Sequence, residues 1–381
     1  MTRNGIPIGR LFGISIDLDY SWFLIVGLLT WMLAASYYPT EFPGWTLGEY
    51  WGIGFITAVL LFVSVLIHEL AHSLVAQRYG IGVPRITLFL FGGVSQIATE
   101  PPGAASEFWI SIVGPVTSLA IAALCWEIEP AFTGIEPLFA LAQYMALINL
   151  MLALFNLIPG FPLDGGRVLR ALVWRTTGNY HRATIVAGMA GRFFGFLLIF
   201  AGIWLALTGD IGGGIWIAVI GWFLESAAGS QMQQETVKTM LGGHTVASAM
   251  QRNFPQITMD MPVQELVERY MTPGNAQAVV VAAPGGEPGV VTLAAIREIP
   301  HDMWPLTMAS QAMTPLRNTE STRPDAILWS ALEKMGHGGV NLLPVVQEGR
   351  VVGILSREDI LHYLGMLQQF RGWKTISGSA R

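Results

Sequence analysis

Six long apolar runs dominate the first 230 residues of the chain and are separated by short polar stretches. A helix needs about 20 apolar residues to cross a bilayer, and most of these runs are close to that length. The runs cover Tyr20 to Tyr38, Trp51 to Gln77, Ser106 to Trp126, Leu138 to Ile158, Ala183 to Leu207 and Ile215 to Ala228. The pattern predicts a multi-pass α-helical membrane protein with six transmembrane helices.

Two stretches between these runs have a different pattern. Both halves of Val83 to Ile97 are β-branched and aromatic, and Gly92-Gly93 separates them, which is typical of a β-hairpin or ribbon. The segment Asn156 to Gly166 holds two prolines and three glycines, which are predicted to end the helix. Irregular backbone at membrane depth is tolerated only where it is buried in protein or lines a cavity.

The pattern changes again after the sixth run. From His244 the chain alternates short strand and helix patterns in two weakly similar units of roughly 60 residues, which suggests a paired α/β module. The sequence is therefore divided into a membrane domain at 1–230, a linker at 231–243, units at 244–300 and 308–370, and a mobile tail at 371–381. Composition agrees, because 12% of the 381 residues are charged, against about 25% in soluble domains.

The distribution of charge predicts the orientation in the membrane. The predicted loops at 39–50, 127–137 and 208–214 contain acidic residues and no lysine or arginine, whereas the segments on the other side are rich in arginine. The positive-inside rule then places both termini and the paired module in the cytoplasm. A net charge of −5 gives no reason to expect a nucleic-acid partner.

A histidine pair lies in the second apolar run, in the stretch Ile67-His68-Glu69-Leu70-Ala71-His72. Such residues are costly inside a bilayer and should carry a function or have a partner. On a helix, His68 and His72 project from one face and can bind one zinc ion, while Glu69 can hold the water that the metal activates. The alternative is two histidines that other polar groups satisfy within a helix bundle.

Two histidines are too few for a zinc site, so a third ligand is required. The single cysteine, Cys125, lies in an apolar run, and no Cys-x-x-Cys occurs, which leaves nitrogen and oxygen donors. The acidic candidates in the membrane region are Glu69, Glu107, Asp164, Asp210 and Glu225. Asp164 is favoured because it follows the fourth run at a depth similar to that of the histidines, although an aspartate before glycine is also typical of a turn.

A site of this kind predicts peptide hydrolysis. Zinc with three protein ligands keeps a position for water, whose pKa it can lower to about 7, and it polarises the scissile carbonyl. Glu69 is expected to take a proton from this water and to pass it to the leaving amine. Asn156 could donate a hydrogen bond to the developing oxyanion, or it could cap the fourth helix.

Three features together resemble the site-2 protease family of intramembrane zinc metalloproteases. They are His68-Glu69-Leu70-Ala71-His72, the Asn-x-x-Pro-x-x-Pro-x-Asp-Gly segment from Asn156 to Gly165, and Gly114-Pro115 in the third run. The resemblance covers about residues 1–230 and implies that His68, His72 and Asp164 ligate one zinc ion and that Glu69 is the catalytic acid/base. No insertion of PDZ size separates the runs, so the chain looks like the branch with C-terminal CBS domains, and the paired units resemble a CBS pair.

The resemblance also implies partners. The expected substrate is a transmembrane helix of a membrane-tethered regulator, such as an anti-sigma factor, in the lipid bilayer of the cell membrane. A helical peptide bond is shielded by its own hydrogen bonds, so the substrate has to unwind before water can attack it. The predicted hairpin could offer an edge to the unwound chain, or it could be a structural ribbon that closes the site. CBS pairs commonly dimerise, so a homodimer is expected.

Adenine nucleotides are the ligands that a CBS pair implies. The second unit has the Gly-x-x-Ser-x-x-Asp pattern of a ribose-phosphate contact, at Gly353, Ser356 and Asp359. The first unit has Gly289 and Thr292 but an alanine where the aspartate would be, so one nucleotide site is expected. Alternatively, the residues from Ser356 to Asp359 could cap a helix that starts there.

Two other functions stay open at this point. A CBS-regulated ion transporter or channel would use the intramembrane histidines and aspartate as an ion path, and it would not need Glu69 as a base. A zinc-binding membrane sensor would keep the metal without catalysis. Glu69 argues against the sensor, because a purely structural zinc site does not need it.

Overall fold

The structure is a computed structural model that describes residues 5–90, 92–96, 99–272, 278–282 and 288–378. The chain forms two compact units, Thr2–Glu235 and Thr236–Arg381. We call them the membrane unit and the C-terminal unit.

Among the described residues, six helices are long and apolar enough to cross a membrane. They cover Tyr20–Glu41, Leu47–Arg78, Ala104–Phe132, Glu136–Asn156, Tyr180–Leu207 and Ile211–Leu241. Bulky apolar side chains lie on their outer surface, where Trp204 is 71% and Leu207 80% exposed. The predicted fold of six transmembrane helices is confirmed, and the helices extend a few residues beyond most of the predicted apolar runs.

The helices of the membrane unit are numbered in chain order. They are α1 (Tyr20–Met32), which continues through the π-helical Leu33–Tyr37 into α2 (Tyr38–Glu41), then α3 (Leu47–Arg78), α4 (Ala104–Ile128), α5 (Glu136–Asn156), α6 (Asp164–Thr177), α7 (Tyr180–Leu207) and α8 (Ile211–Leu241). Thr46 and Glu49 form a reciprocal capping box that starts α3. Gly178, with φ at 66°, adopts the left-handed conformation that ends α6.

A four-stranded sheet, in the order β1-β2-β3-β4, belongs to the same unit. Its strands are β1 (Gly5–Leu11), β2 (Ile14–Asp19), β3 (Arg85–Phe89) and β4 (Gly92–Gln96). β3 and β4 pair antiparallel, as the predicted hairpin requires, although Ile97 at its end lies outside the described residues. The β1–β2 hairpin was not predicted, because the glycines and the proline of β1 weaken the alternating pattern. β3 joins β2 in parallel.

Apolar side chains attach this sheet to the helices. Ile14, Ile86 and Leu88 pack in one buried cluster with Leu70 of α3 and Ile110 of α4. The cluster therefore holds the β3–β4 hairpin against the helix that carries the histidine pair.

The segment between α5 and α7 differs from the prediction at its end. Residues 157–163 are irregular, as expected, but α6 begins at Asp164 and includes Gly165 in its first turn. A Cβ on Gly165 would contact the backbone carbonyl of Leu157. This glycine was expected to interrupt a helix, and instead it lets the irregular segment approach the first turn of α6 closely.

The C-terminal unit contains two α/β halves. Their elements are β5 (Gln256–Thr258), α9 (Val263–Leu266), β6 (Ala278–Ala282), β7 (Gly289–Thr292), α10 (Leu293–Arg297), α11 (Ala309–Ala312), β8 (Thr314–Pro315), α12 (Leu328–Gly338), β9 (Leu342–Gln347), β10 (Arg350–Ser356) and α13 (Arg357–Gly378). Two apolar cores form, and they exchange segments between the predicted units: Val279 and Val291 pack with Ala309, whereas Leu343 and Leu355 pack with Val246.

Two predicted boundaries run through helices. α8 continues through most of the expected linker at 231–243 and ends at Leu241, because the stretch before Gly242 is rich in helix-forming residues. The predicted mobile tail at 371–381 continues α13 as far as Gly378, since no proline interrupts it. The rest of the tail lies outside the described residues.

Candidate metal centre

Three potential ligand atoms converge in the membrane unit. His68 and His72 lie one turn apart on α3, are 3% and 6% exposed, and have Nε2 atoms 3.1 Å apart. Asp164, the first residue of α6, places Oδ2 3.1 Å from each of these nitrogens. Two helices thus bring together residues that are more than 90 positions apart in the sequence.

The surroundings of these atoms fit a zinc ion. Two imidazole nitrogens and a carboxylate oxygen are a typical donor set for a catalytic zinc site. Gly114 of α4 lies directly beside them, because a Cβ there would contact the Nε2 atoms of both histidines. Glycine at this position therefore keeps the space next to the ligand atoms open. Among the described residues, this trio is the one group of its kind that could hold a metal ion.

α4 also contacts the opposite edge of both imidazole rings. His68 Nδ1 lies 2.9 Å from Ser118 Oγ, and His72 Nδ1 lies 2.5 Å from the carbonyl oxygen of Ile110. When each Nδ1 carries the hydrogen, both Nε2 lone pairs are free for a metal. Pro115, inside the same helix, has no N–H to donate to the carbonyl of Ser111, the residue after Ile110.

The Asp164 side chain is the most exposed of the three ligand candidates, at 16%, against 4% for His68 and 8% for His72. Burial alone would raise its pKa, but the neighbouring His72 and His68 lower the pKa well below its usual range. The group therefore stays ionised at neutral pH, which is the form that binds a metal.

Glu69 does not join the three converging atoms. Its Oε2 accepts a hydrogen bond from Ser95 Oγ of β4 at 2.6 Å. Gly93 of the same strand lies against it, since a Cβ there would be 2.6 Å from Glu69 Cγ. The β3–β4 hairpin thus holds the Glu69 carboxylate in place.

Comparison with known proteins decides the family. The model of peptidase family M50 matches residues 56–133 and 131–200, a range that contains the histidine pair and Asp164. Rip3 of Mycobacterium tuberculosis, named as a zinc metalloprotease, is 35% identical over 363 residues, which cover 94% of this chain and 92% of Rip3. The chain belongs to peptidase family M50. The CBS-domain model matches residues 310–365 of this M50 peptidase.

One further relative and one solved structure are also similar to this chain. The protein sll0528 of Synechocystis, also named as a zinc metalloprotease, is 36% identical over 366 residues, which cover 95% of this chain and 96% of that protein. Among solved structures, the site-2 protease from Methanocaldococcus jannaschii is 29% identical and covers 60% of this chain and 95% of that one, with a TM-score of 0.42.

The predictions of a site-2 protease relative, a zinc metalloprotease and a C-terminal CBS pair are confirmed by the family models and the named relatives. The rival prediction of an ion transporter finds no support among them.

A buried ion pair joins two helices of the M50 site. Arg170 of α6 donates from Nε to Glu107 Oε1 of α4 at 2.6 Å, and the two residues are 7% and 1% exposed. The guanidinium lies over the rings of Phe161 and Tyr180, 4.9 and 4.8 Å from their centroids. The pair fixes α6, which begins with Asp164, to the helix that contacts both histidines.

Asn156, the last residue of α5, donates from Nδ2 to the carbonyl oxygen of Leu152 at 3.0 Å. This contact lies within its own helix, four residues back. In the part of the chain that the structure describes, the Asn156 side chain makes no hydrogen bond to the three ligand residues or to a residue that follows it. Its catalytic role therefore stays a prediction.

An apolar cavity of about 710 Å³ reaches the elements that carry the site. Apolar side chains of α1, α3, α5 and α8 line most of it, and Asn156 contributes the one amide. Gly92, at the start of β4, and Leu163, directly before Asp164, belong to the lining. The cavity therefore extends from apolar helix faces to Leu163, which precedes Asp164, and to the start of β4, the strand that contacts Glu69.

The nucleotide residues predicted in the C-terminal unit make contacts of another kind. Asp359 Oδ2 accepts hydrogen bonds from the backbone N–H and the hydroxyl of Ser356 at 2.8 and 2.6 Å, and Gln251 Nε2 donates to its Oδ1 at 2.7 Å. Gly353 packs closely against Met250, because a Cβ there would be 2.9 Å from the sulfur. The Ser356–Asp359 contacts are those of a helix cap, the alternative that the sequence left open.

Several residues around the centre escaped the sequence analysis. Ser118 carried a usable signal, because it lies four residues after Gly114 and hence on the same face of α4. Glu107 was considered only as a metal ligand. Ser95 and Arg170 carry no local signal, since their contacts join segments that are distant in sequence.

Proposed function

We propose that this M50 peptidase hydrolyses peptide bonds in or near the transmembrane helices of membrane-tethered regulatory proteins, with His68, His72 and Asp164 as the zinc ligands. The observation that carries the proposal is the convergence of three ligand atoms, each 3.1 Å from the other two, in the interior of a unit with six apolar helices.

The chain's own groups divide the chemistry among them. A zinc ion bound by the three ligands supplies Lewis-acid chemistry, which lowers the pKa of water and polarises a carbonyl group. Glu69 accepts the proton of the attacking water and delivers it to the leaving amide nitrogen. Ser95 holds the Glu69 carboxylate through its hydroxyl. Asn156 donates to the oxyanion once its amide turns away from Leu152.

The apolar cavity supports a substrate from the membrane. A cavity of about 710 Å³ with one amide in its lining suits apolar side chains of a transmembrane segment. The substrate helix has to unwind before hydrolysis, and β4, which is the last strand of its sheet among the described residues, offers main-chain groups for pairing. A regulator of the anti-sigma-factor type, which the family resemblance implies, has a helix of this kind.

Charge supports a cytoplasmic location for both termini, the site and the CBS pair. The three predicted loops of one side contain no lysine or arginine, whereas Arg78 ends α3 and Arg175 lies in the last turn of α6. The positive-inside rule favours this orientation in the cell membrane.

For the CBS pair we infer adenine-nucleotide binding and homodimerisation. A nucleotide that contacts Gly353, Ser356 and Asp359 would displace Gln251 from the Asp359 carboxylate. A separate cavity of about 850 Å³, lined by Thr292 and Asn341 among others but not by Gly353, Ser356 or Asp359, also has sufficient volume for a nucleotide. Titration with AMP and ATP should raise the unfolding temperature and change the rate of substrate cleavage. Unchanged values for both would contradict nucleotide regulation, and a monomeric mass in sedimentation would contradict the dimer.

The test of the main proposal is the cleavage of a single-span model substrate by the purified protein in liposomes. Wild type and Glu41→Gln, which removes an exposed carboxylate far from the site in sequence, should cleave it within or beside the apolar span. Glu69→Gln should lose at least about 100-fold in rate, the usual contribution of a general acid–base group, while it keeps its zinc. Equal rates for wild type and Glu69→Gln would contradict the proposed mechanism.

A further inference from the structure

We propose that Ser118 is a positioning residue of the metal centre, whose hydroxyl fixes the tautomer and the ring orientation of His68. The inference rests on the proposed function, since it takes His68 as a ligand. Ser118 Oγ lies 2.9 Å from His68 Nδ1, and both residues are buried, at 0% and 3% exposure.

The two nitrogens of His68 have different surroundings. Nε2 lies 3.1 Å from Asp164 Oδ2 and from His72 Nε2, so a hydrogen on Nε2 would occupy the position that a metal needs. The hydrogen therefore has to lie on Nδ1, and the acceptor within reach of Nδ1 is Ser118 Oγ. By accepting it, Ser118 selects the tautomer that leaves the Nε2 lone pair free.

The second histidine shows the same arrangement with a different acceptor. His72 Nδ1 lies 2.5 Å from the backbone carbonyl of Ile110, also on α4. Ile110 and Ser118 lie on either side of Gly114, whose missing side chain leaves room for the Nε2 atoms. One helix thus orients both rings, and only the contact to Ser118 can be removed by changing a side chain.

Groups that orient a metal-bound histidine contribute about 10- to 100-fold to metal affinity. Because Ser118 and His68 are buried, water cannot easily replace the hydroxyl as the acceptor. Ser118→Ala should therefore weaken zinc binding by about that factor, whereas Ser118→Thr, which retains the hydroxyl, should restore most of it.

Ser111 provides a matched control on the same helix. It is 1% exposed, and among the described residues its Oγ has no hydrogen-bond partner. Ser111→Ala removes the same atom at the same burial without removing a hydrogen bond to either histidine. A loss of packing alone would affect both variants, whereas the loss of a positioning contact would affect only Ser118→Ala.

The experiment uses the purified full-length protein in detergent, as wild type, Ser118→Ala, Ser118→Thr, Ser111→Ala and His68→Ala. Zinc affinity is measured by competition with a chelator, and ligand geometry by the visible absorption of the cobalt(II)-substituted protein. We expect Ser118→Ala to bind zinc about 10- to 100-fold more weakly and to shift the cobalt bands, with Ser111→Ala and Ser118→Thr close to wild type.

Three results would overturn the inference: wild-type affinity and spectrum in Ser118→Ala, an equal loss in Ser111→Ala, or no recovery in folded Ser118→Thr. His68→Ala separates this outcome from a failure of the proposed function. If His68→Ala keeps its zinc, the proposed ligand set is wrong. If it loses zinc while Ser118→Ala does not, only the role of Ser118 is wrong.

Discussion

The membrane unit and the C-terminal unit bury different kinds of side chain. Among the described residues, the C-terminal unit buries one polar side chain, Ser356, and its interior is otherwise aliphatic. The membrane unit buries two histidines, an ion pair, an asparagine and a series of hydroxyl groups, while it exposes bulky side chains such as Trp204 and Phe200. The interior of the membrane unit is therefore far more polar than that of the C-terminal unit.

The solvent explains the difference. In water, the burial of apolar side chains stabilises a fold, so polar groups stay outside. In lipid, an apolar side chain gains little by moving from the acyl chains to the protein interior, and close packing and internal hydrogen bonds hold helices together. Ionisable side chains inside a membrane protein are costly, and they mark functional sites. Changes to them should affect zinc binding as well as stability, whereas changes in the C-terminal core should affect stability alone.

The largest effect is expected for Gly114→Ala. The new methyl group would occupy the space beside both Nε2 atoms, so zinc binding and cleavage should be lost. The control is Gly336→Ala on α12, where a Cβ meets nothing within 4 Å. This control should keep its zinc and gain about 0.5–1 kcal/mol of helix stability. Zinc content, cleavage and thermal unfolding of both variants provide the check, and a Gly114→Ala protein with full zinc would contradict the description of the site.

The next effect concerns the buried ion pair. Arg170→Gln leaves the Glu107 carboxylate buried without its partner, which should destabilise the membrane unit by about 3–5 kcal/mol. The double variant Glu107→Gln/Arg170→Gln removes both charges and should recover part of this loss. Thermal unfolding in detergent measures the series. If the double variant is less stable than Arg170→Gln instead of more stable, the two charges do not act as a pair.

A smaller effect on function is expected from the apolar core of the other unit. Leu355→Ala creates a cavity at a fully buried position of β10 and should destabilise the C-terminal unit by about 2–5 kcal/mol. The zinc content should stay at the wild-type level, because the ligand atoms belong to the membrane unit. Limited proteolysis of the C-terminal unit, together with zinc analysis, tests both statements. Loss of zinc in Leu355→Ala would show that the two units depend on each other.

The smallest effect is expected at an exposed ion pair of the C-terminal unit. Arg323 donates to Asp325 at 3.0 and 2.9 Å, but both side chains are mostly exposed, so water screens the interaction. Arg323→Gln should change stability by less than about 1 kcal/mol. Its unfolding temperature, compared with that of Arg170→Gln, measures how much burial changes the contribution of an arginine–carboxylate pair.

Local patterns were sufficient to predict most of the fold. Apolar length predicts six spans, and Gly92-Gly93 between two β-branched stretches predicts the β3–β4 hairpin. The β1–β2 hairpin was missed because Pro7 and Gly9 interrupt its alternating pattern and because its stability comes from pairing with β3, which is distant in sequence. Pairing of this kind depends on tertiary contacts and leaves no periodic signal.

The candidate site also combines residues that local patterns predict with contacts that they do not predict. The spacing of His68 and His72 is a local signal, and Asp164 follows from a motif and from its depth. The contacts that orient these residues join separate elements: Ser118 meets His68 across 50 positions and Arg170 meets Glu107 across 63. The start of α6 at Asp164 was also missed, because glycines that usually end a helix here permit close packing.

X-ray absorption at the zinc edge of the purified protein tests the central claim most directly, namely that the buried polar trio of the membrane unit holds the metal. The account predicts a nitrogen and oxygen shell at about 2.0–2.2 Å with the outer-shell signature of two imidazoles, which decreases in His72→Ala. A sulfur ligand at about 2.3 Å, which only Cys125 or a methionine could supply, or a spectrum unchanged in His72→Ala, would contradict it.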